Sequence, residues 1–512
     1  MAIYTRANAW NNGGTFANQD LLWYARGVKA MKKKAADLFD RNGWRFYAAI
    51  HGFDQGVWRQ LGYWSPADKM ATAADQKLFW LQCQHGSWYF LPWHRGYVLA
   101  FEAVVRDAVV KLGGPADWAI PYWNYFKPNQ NQLPPAFASP DWPDGQGDNP
   151  LFVAQRFGPN NDGNVFVPMD QVDQNALGDS QFIGASDGGS PGFGGVNTGF
   201  RHGGNVHGGV ETQPHDMVHG LVGGGDPNTG LPGLMSDPDT AGLDPIFWLH
   251  HANIDRLWEV WNEMPGSTGD PEQPNWVKGP ASIGQRAFIL PMPGRNFTYT
   301  PGQMQNLSTL GYNYDDVSPP SGLPQMVARL QRFGVSVADS VTRSAAMAGP
   351  KSAELMGASG SLRVSGTEAR ASVPLDAAVQ FSVTRSLRSA ATAANPAPDR
   401  VFLNLENVRG LNDATAFSVY INVPDGDDPA KHPELKAGSI ALFGVRKATE
   451  ADAQHAGDGL TFVLEITDVI DKLHLDGALN ANQLHVRLVP RLPVPDAAQI
   501  SIGRISVYRQ SP

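Results

Sequence analysis

At 512 residues the chain is too long for one ordinary domain, and 42% apolar with 17% charged residues suits packed globular units rather than disorder. A formal charge of −9 is mild for this length and supplies no basic footprint for nucleic acid. No run of about 18 apolar residues marks a membrane span. The opening from Met1 to Arg6 lacks the basic and then apolar layout of a secretory signal, and the single cysteine, Cys83, allows no intrachain disulfide. Both features agree with a cytoplasmic protein.

In chain order, residues 20–34 place Leu21, Leu22, Tyr24, Val28 and Met31 at helical spacing. Residues 91–112 set Val98, Phe101, Val105 and Val109 on one face, with Pro92 where a first turn tolerates it. Residues 127–210 are rich in Pro, Gly, Asn and Asp, a loop region long enough to suggest function. A short helix is expected over 214–221. A longer one follows over 245–264, with Asp244 as N-cap and Pro245 in the first position. Near Tyr312 the composition changes. Residues 341–396 are Ala- and Ser-rich and linker-like, with strands expected at 361–364 and 378–383. From Arg400 short alternating segments (401–405, 417–423, 440–445, 460–466, 484–488 and 500–507) read as a β-sandwich. The expected organisation is a mainly α unit over 1–320, a linker over 321–396 and a β-sandwich over 397–512.

Thirteen histidines raise the question of which bind metal. His215 and His219 are four apart on one helical face and can share an ion. His250 and His251 lie in an apolar helix, where imidazoles need partners that a metal can supply. His85 and His94 flank an aromatic stretch from Ser87 to Trp93, and His51 closes the apolar run Phe46 to Ile50. Inward histidines from four helices would build a metal site in the core of a four-helix bundle. An imidazole-only set suits copper, zinc or nickel and argues against magnesium or calcium.

Two longer stretches carry a resemblance. The first runs Cys83-Gln84-His85-Gly-Ser-Trp-Tyr-Phe-Leu-Pro-Trp-His94-Arg95, and the second runs from Glu211 through Pro214-His215-Asp216 and His219. The second resumes at Asp244-Pro-Ile-Phe-Trp-Leu-His-His251-Ala-Asn-Ile-Asp255. In order and spacing the chain resembles the tyrosinase, catechol oxidase and haemocyanin superfamily of dinuclear type-3 copper proteins. The resemblance implies that His51, His85 and His94 hold one copper ion and His215, His219 and His251 a second, with His250 a neighbour. His202 and His207 have no ligand role in the family. Cys83 matches the cysteine that fungal members join to a histidine ring by a thioether, here His85; the alternative is a buried free thiol. Asp255 accepts a hydrogen bond from a ligand imidazole or else pairs with Arg256 or another arginine. Tyr312-Asn313-Tyr314 and Arg6 match the family's closing motif. Residues 464–470 and 488–491 look like the tail of plant polyphenol oxidases, which makes the β domain either a lid or an appendage.

The activity implied is O2-dependent oxidation of small phenols to o-quinones: a tyrosinase acting on monophenols and o-diphenols, with two copper ions as cofactor. Catechol oxidation without monophenol hydroxylation, o-aminophenol oxidation and O2 carriage are the rivals, and a zinc hydrolase is a more distant one. A phenol near pKa 10 is scarcely ionised at neutral pH, so its proton needs an acceptor. Glu211 and Asp216 are expected to position a water for that purpose; a plainer reading has Glu211 capping the helix of His215. Pro238 falls near the place of a gate residue in plant members. No nucleic-acid or membrane partner is expected, and the oligomeric state is not legible.

Overall fold

In the computed structural model, residues 3–33, 36–142, 147–320, 325–340, 352–390, 397–451, 457–479 and 482–511 are described. Helix α1, Gln19–Lys32, begins where the Asn18 side chain accepts the Asp20 amide, and it buries Leu21, Tyr24, Val28 and Met31. Helix α2, Trp44–His51, is buried at every residue but Arg45. It ends at Gly52, whose backbone is extended; a Cβ there would stand 2.5 Å from the Pro238 carbonyl oxygen, so only glycine fits. Helix α3, Phe90–Lys111, packs between α1 and helix α5, Pro245–Asn262. Asp244 caps α5 by accepting the Ile246 amide at 3.0 Å, and buried Arg156 pairs with the same carboxylate at 2.6 Å. Helix α4, Met217–Gly223, follows a wide helical turn over Glu211–Asp216. Where α3 meets α5, the rings of Phe101 and Trp248 stack with centroids 3.5 Å apart. Strand β1, Tyr4–Arg6, pairs in parallel with strand β2, Tyr312–Tyr314, and ties both ends of this half together.

The second half is built on antiparallel sheets. Its strands are β3 Ala353–Ala358, β4 Leu362–Val364, β5 Ala369–Pro374, β6 Arg400–Val408, β7 Ala416–Ile421, β8 Lys436–Ala441, β9 Leu460–Glu465, β10 Gln483–Pro490, β11 Ile500–Ile502 and β12 Arg504–Gln510. One four-stranded sheet runs β9-β6-β12-β3 and the other β8-β7-β10-β5, while β4 pairs with β11. Both sheets contribute to one apolar core that includes Leu403, Val419, Val486 and Val507.

Three expectations are corrected here. The span 352–390 is part of the β domain rather than linker, because β3 pairs with β12 and β5 with β10. Residues 378–383 are helical, within helix α6, Ala377–Ala390, whose buried Val383 and Leu387 are four residues apart. Of the expected linker, residues 321–324, 341–351 and 391–396 lie outside the described residues. The strand expected over 440–445 stops at Ala441. The chain then leaves the sheet through Leu442, Phe443 and Gly444 into a short helix, α7, Val445–Thr449.

Candidate metal centre

The structure brings two groups of metal-capable side chains together: His51, Cys83, His85 and His94 in one, and His215, His219, His250 and His251 in the other. His51 ends α2, His94 lies in the first turns of α3, His219 is inside α4 and His251 inside α5. His85 comes from the loop before α3 rather than from a helix, and His215 from the turn that enters α4. Helices thus carry four of the six ligands the resemblance names.

The backbone fixes how these rings face. Carbonyl oxygens only accept, so each of three rings donates from Nδ1: His51 to Pro238 at 2.7 Å, His94 to Phe90 at 2.8 Å and His219 to Met235 at 2.7 Å. His215 donates Nδ1–H to the Asp216 carboxylate at 2.8 Å. Each Nε2 is then an unprotonated lone pair, the form that binds metal. The buried Nε2 atoms of His51 and His215 have no hydrogen-bond partner among the described residues. Nε2 of His219 lies 3.3 Å from Nε2 of His251. Those two nitrogens stand close enough to share one metal ion. His251 differs in that its Nδ1 has no hydrogen-bond partner among the described residues.

Burial takes the His51 imidazole down to about 4 despite its bond to Pro238. Burial and then neighbouring imidazoles hold His85, His215 and His251 well below the ordinary histidine range. Neutral rings are what a metal requires, so the donor set fits a pair of copper ions. His250 is buried and stacks 5.5 Å from His215, while its own Nδ1 lies 3.4 Å from the Tyr125 hydroxyl.

Cys83 Sγ lies 3.4 Å from Nδ1 and 3.6 Å from Nε2 of His85, and 3.4 Å from Nε2 of His94. The sulfur is thus in non-bonded contact with the His85 ring and equally close to His94.

Glu211 is fully buried and accepts the Gly86 amide at 2.9 Å, next to His85. Gly86 has φ +63°, and a Cβ there would meet the Gly204 carbonyl oxygen at 2.6 Å. Burial raises the Glu211 carboxyl to about 7, with Asp216 adding and His207 opposing. Asp216 does not offer a free oxygen: one meets His215, and the other accepts from Nδ1 of His207 at 2.7 Å. His207 was missed by sequence reasoning, and so was Phe443, which lies over the histidines. The Phe443 ring stacks on His219 at 4.2 Å between centroids and stands edge-on 5.6 Å from both His85 and His215. Asp255 touches no ligand imidazole. It pairs with Arg6 and Arg95, not Arg256, and accepts the hydroxyls of Tyr312 and Tyr314 at 2.6 Å each.

A helical half that converges buried, neutral imidazoles in two groups fits the dinuclear centre of a type-3 copper protein. Family comparison agrees: the model for the common central domain of tyrosinase matches residues 41–264, and a domain of unknown function, DUF7868, matches 352–510. Tyrosinase HcTyr1 of Hahella sp. (strain CCB-MM4) is 31% identical over 520 residues, covering 99% of both chains. Chloroplastic polyphenol oxidase of Malus domestica is 26% identical over 94% of this chain and 74% of its own. The chain belongs to the tyrosinase/polyphenol oxidase family and is a copper-dependent phenol oxidase. In fold it is similar to latent apple tyrosinase (TM-score 0.57, 18% identity, 100% of this chain and 98% of the other) and to latent aurone synthase (TM-score 0.60, 19% identity, 99% and 90%).

Proposed function

We propose that this chain is a tyrosinase that hydroxylates small monophenols and oxidises o-diphenols to o-quinones, and that its β domain holds it latent. The observation that carries the latency is Phe443, a ring from the β domain seated where a phenol's ring would have to lie against His219, His85 and His215. Two copper ions held by His51, His85, His94, His215, His219 and His251 would supply the redox chemistry with O2. Overall, a monophenol and O2 give an o-quinone and water, whereas two o-diphenols and one O2 give two quinones and two waters.

The chain's own residues do the rest. Phe247 lies edge-on to His51 at 5.0 Å and tilted against His251 at 4.2 Å, and Phe90 lies edge-on to His215 at 4.8 Å; they keep water off the imidazoles. Glu211 is the acceptor for a monophenol's proton through a water, since both oxygens of Asp216 are engaged by imidazoles. A diphenol needs that help less, so Glu211 separates the two activities. Cys83 and His85 form a thioether in the mature enzyme, which would leave the intact mass lighter by two hydrogen atoms than the sequence requires; a mass equal to the sequence would remove it.

The test is copper content with O2 uptake on a monophenol and a catechol, in the wild type and in Phe443→Gly. Two coppers with turnover of both substrates, faster in Phe443→Gly, are expected. Catechol turnover alone would make the chain a catechol oxidase. Reversible O2 binding without turnover in Phe443→Gly would make it a carrier.

A further inference from the structure

The loop Gly203 to Gly209 lies outside both copper-binding stretches, yet it delivers one imidazole into the buried centre. His207 is 2% exposed and carries its ring to Asp216, nine residues on, at 2.7 Å. The other Asp216 oxygen is 2.8 Å from Nδ1 of His215. One carboxylate therefore accepts from two imidazoles, one on each side. Nε2 of His207 lies 3.8 Å from Oε1 of Glu211, too long for a hydrogen bond but close for charge attraction. Glu211 and Asp216, buried and near each other, counterbalance burial and lift the His207 imidazole to about 9. The loop is anchored on its far side, where the Asn205 carbonyl accepts the Thr461 amide at 2.6 Å and the Phe462 ring meets His207 edge-on at 5.8 Å.

The consequence concerns His215. Among the described residues no backbone carbonyl holds its Nδ1, unlike those of His51, His94 and His219. Its orientation depends on Asp216, an adjacent side chain that can rotate. A carboxylate held by one bond swings about it; one held at both oxygens does not. We infer that His207 is a positioning residue for His215, acting through Asp216 to aim the His215 Nε2 lone pair at the second metal position. This rests on the copper assignment and adds a partner to it that has no ligand role of its own.

The test compares wild type, His207→Phe and His207→Asn as apo chains titrated with copper against a chromogenic chelator, beside their thermal unfolding without copper. Phe keeps bulk and loses the donor. Asn places an N–H where Nδ1 stood. In His207→Phe one copper should bind as in the wild type and the other about 10–100-fold more weakly, as expected for loss of an outer partner of a ligand. His207→Asn should restore it to within a few-fold. Tight binding of both coppers in His207→Phe overturns the inference. So does equal weakening of both coppers in His207→Phe and His207→Asn with a matching loss of apo stability, which would make His207 structural only. If His207→Phe does not fold, the Asn variant decides: one copper weakened as far as the Phe variant was expected to be overturns the inference, and near-wild-type binding supports it. A wild type that binds no copper would fail the copper assignment itself, a different outcome from any of these.

Discussion

Asp255 shows how one carboxylate can hold a metal site without touching it. Its two oxygens accept from Arg95, Arg6 at 2.9 Å and two tyrosine hydroxyls, and Arg6 reaches on to Glu102 at 2.7 Å. All of these groups are buried. Burial alone would raise the Asp255 carboxyl, but Arg95 and Arg6 outweigh it and hold it below the usual carboxylate range. Asp255→Asn leaves two buried guanidiniums short of a partner, and such a break costs about 3–5 kcal/mol. The sign with pH follows from the depressed value. The contribution is fully present above the ordinary carboxylate pKa near 4, and it is lost as pH falls through the lower folded value. Denaturant melts should therefore show the variant less stable at neutral pH and the gap closing under acid. Copper content in the folded variant should stay at two per chain. A variant of normal stability that had lost copper would instead place Asp255 in the ligand support that the sequence left open.

Among the elements, legibility followed period and length. Helices α1, α3 and α5 could be read because long apolar stripes at helical spacing leave few alternatives, and Asp244-Pro245 marks a helix start chemically. Five of the six histidines proposed as ligands stood in long ordered motifs; His51 rested on the short run before it, and it ends α2. Helix α6 was misread because six residues, 378–383, fit a strand, while Val379, Val383 and Leu387 only reveal their four-residue spacing over a longer window. Strands β3 and β5 were lost in an Ala- and Ser-rich composition that resembles a linker, since their stability comes from pairing with β12 and β10 more than a hundred residues later. Phe443 was hidden for a similar reason. Leu442-Phe443 looks like the end of an apolar strand, and nothing local says that the chain leaves the sheet at Ala441 to point a ring into another domain. His207, in a loop of glycines, has no periodicity at all; only the fold brings it to Asp216.

At the scale of the whole molecule, the two halves are joined beside the site they share. Directly after Phe443 and Gly444, helix α7 carries Arg446 and Lys447 against the segment Asp237-Pro238-Asp239. Arg446 reaches Asp237 at 3.0 Å and Asp239 at 3.3 Å, and Lys447 reaches Asp239 at 2.9 Å. Pro238, between the two acids, is the residue whose carbonyl holds His51. The ionic contacts and the Phe443 ring thus grip the same few residues from the same short piece of the β domain. Asp237 and Asp239 are buried, whereas the Arg446 and Lys447 side chains are 20% and 24% exposed, so the contacts are partly open to salt. If they hold the ring in place, Arg446→Glu should free it without altering any group at the copper ions. Catechol oxidation should rise about tenfold, equivalent to ~1.4 kcal/mol of lost docking, while copper stays at two per chain. Raising salt from about 0.1 M to about 1 M shortens the screening length from roughly 10 Å to roughly 3 Å, and it should activate the wild type while leaving Arg446→Glu unchanged. Phe443→Gly should match the charge variant in rate and in its indifference to salt. An Arg446→Glu enzyme as slow as the wild type, beside a fast Phe443→Gly, would show that the ring is held by its packing against His219 alone.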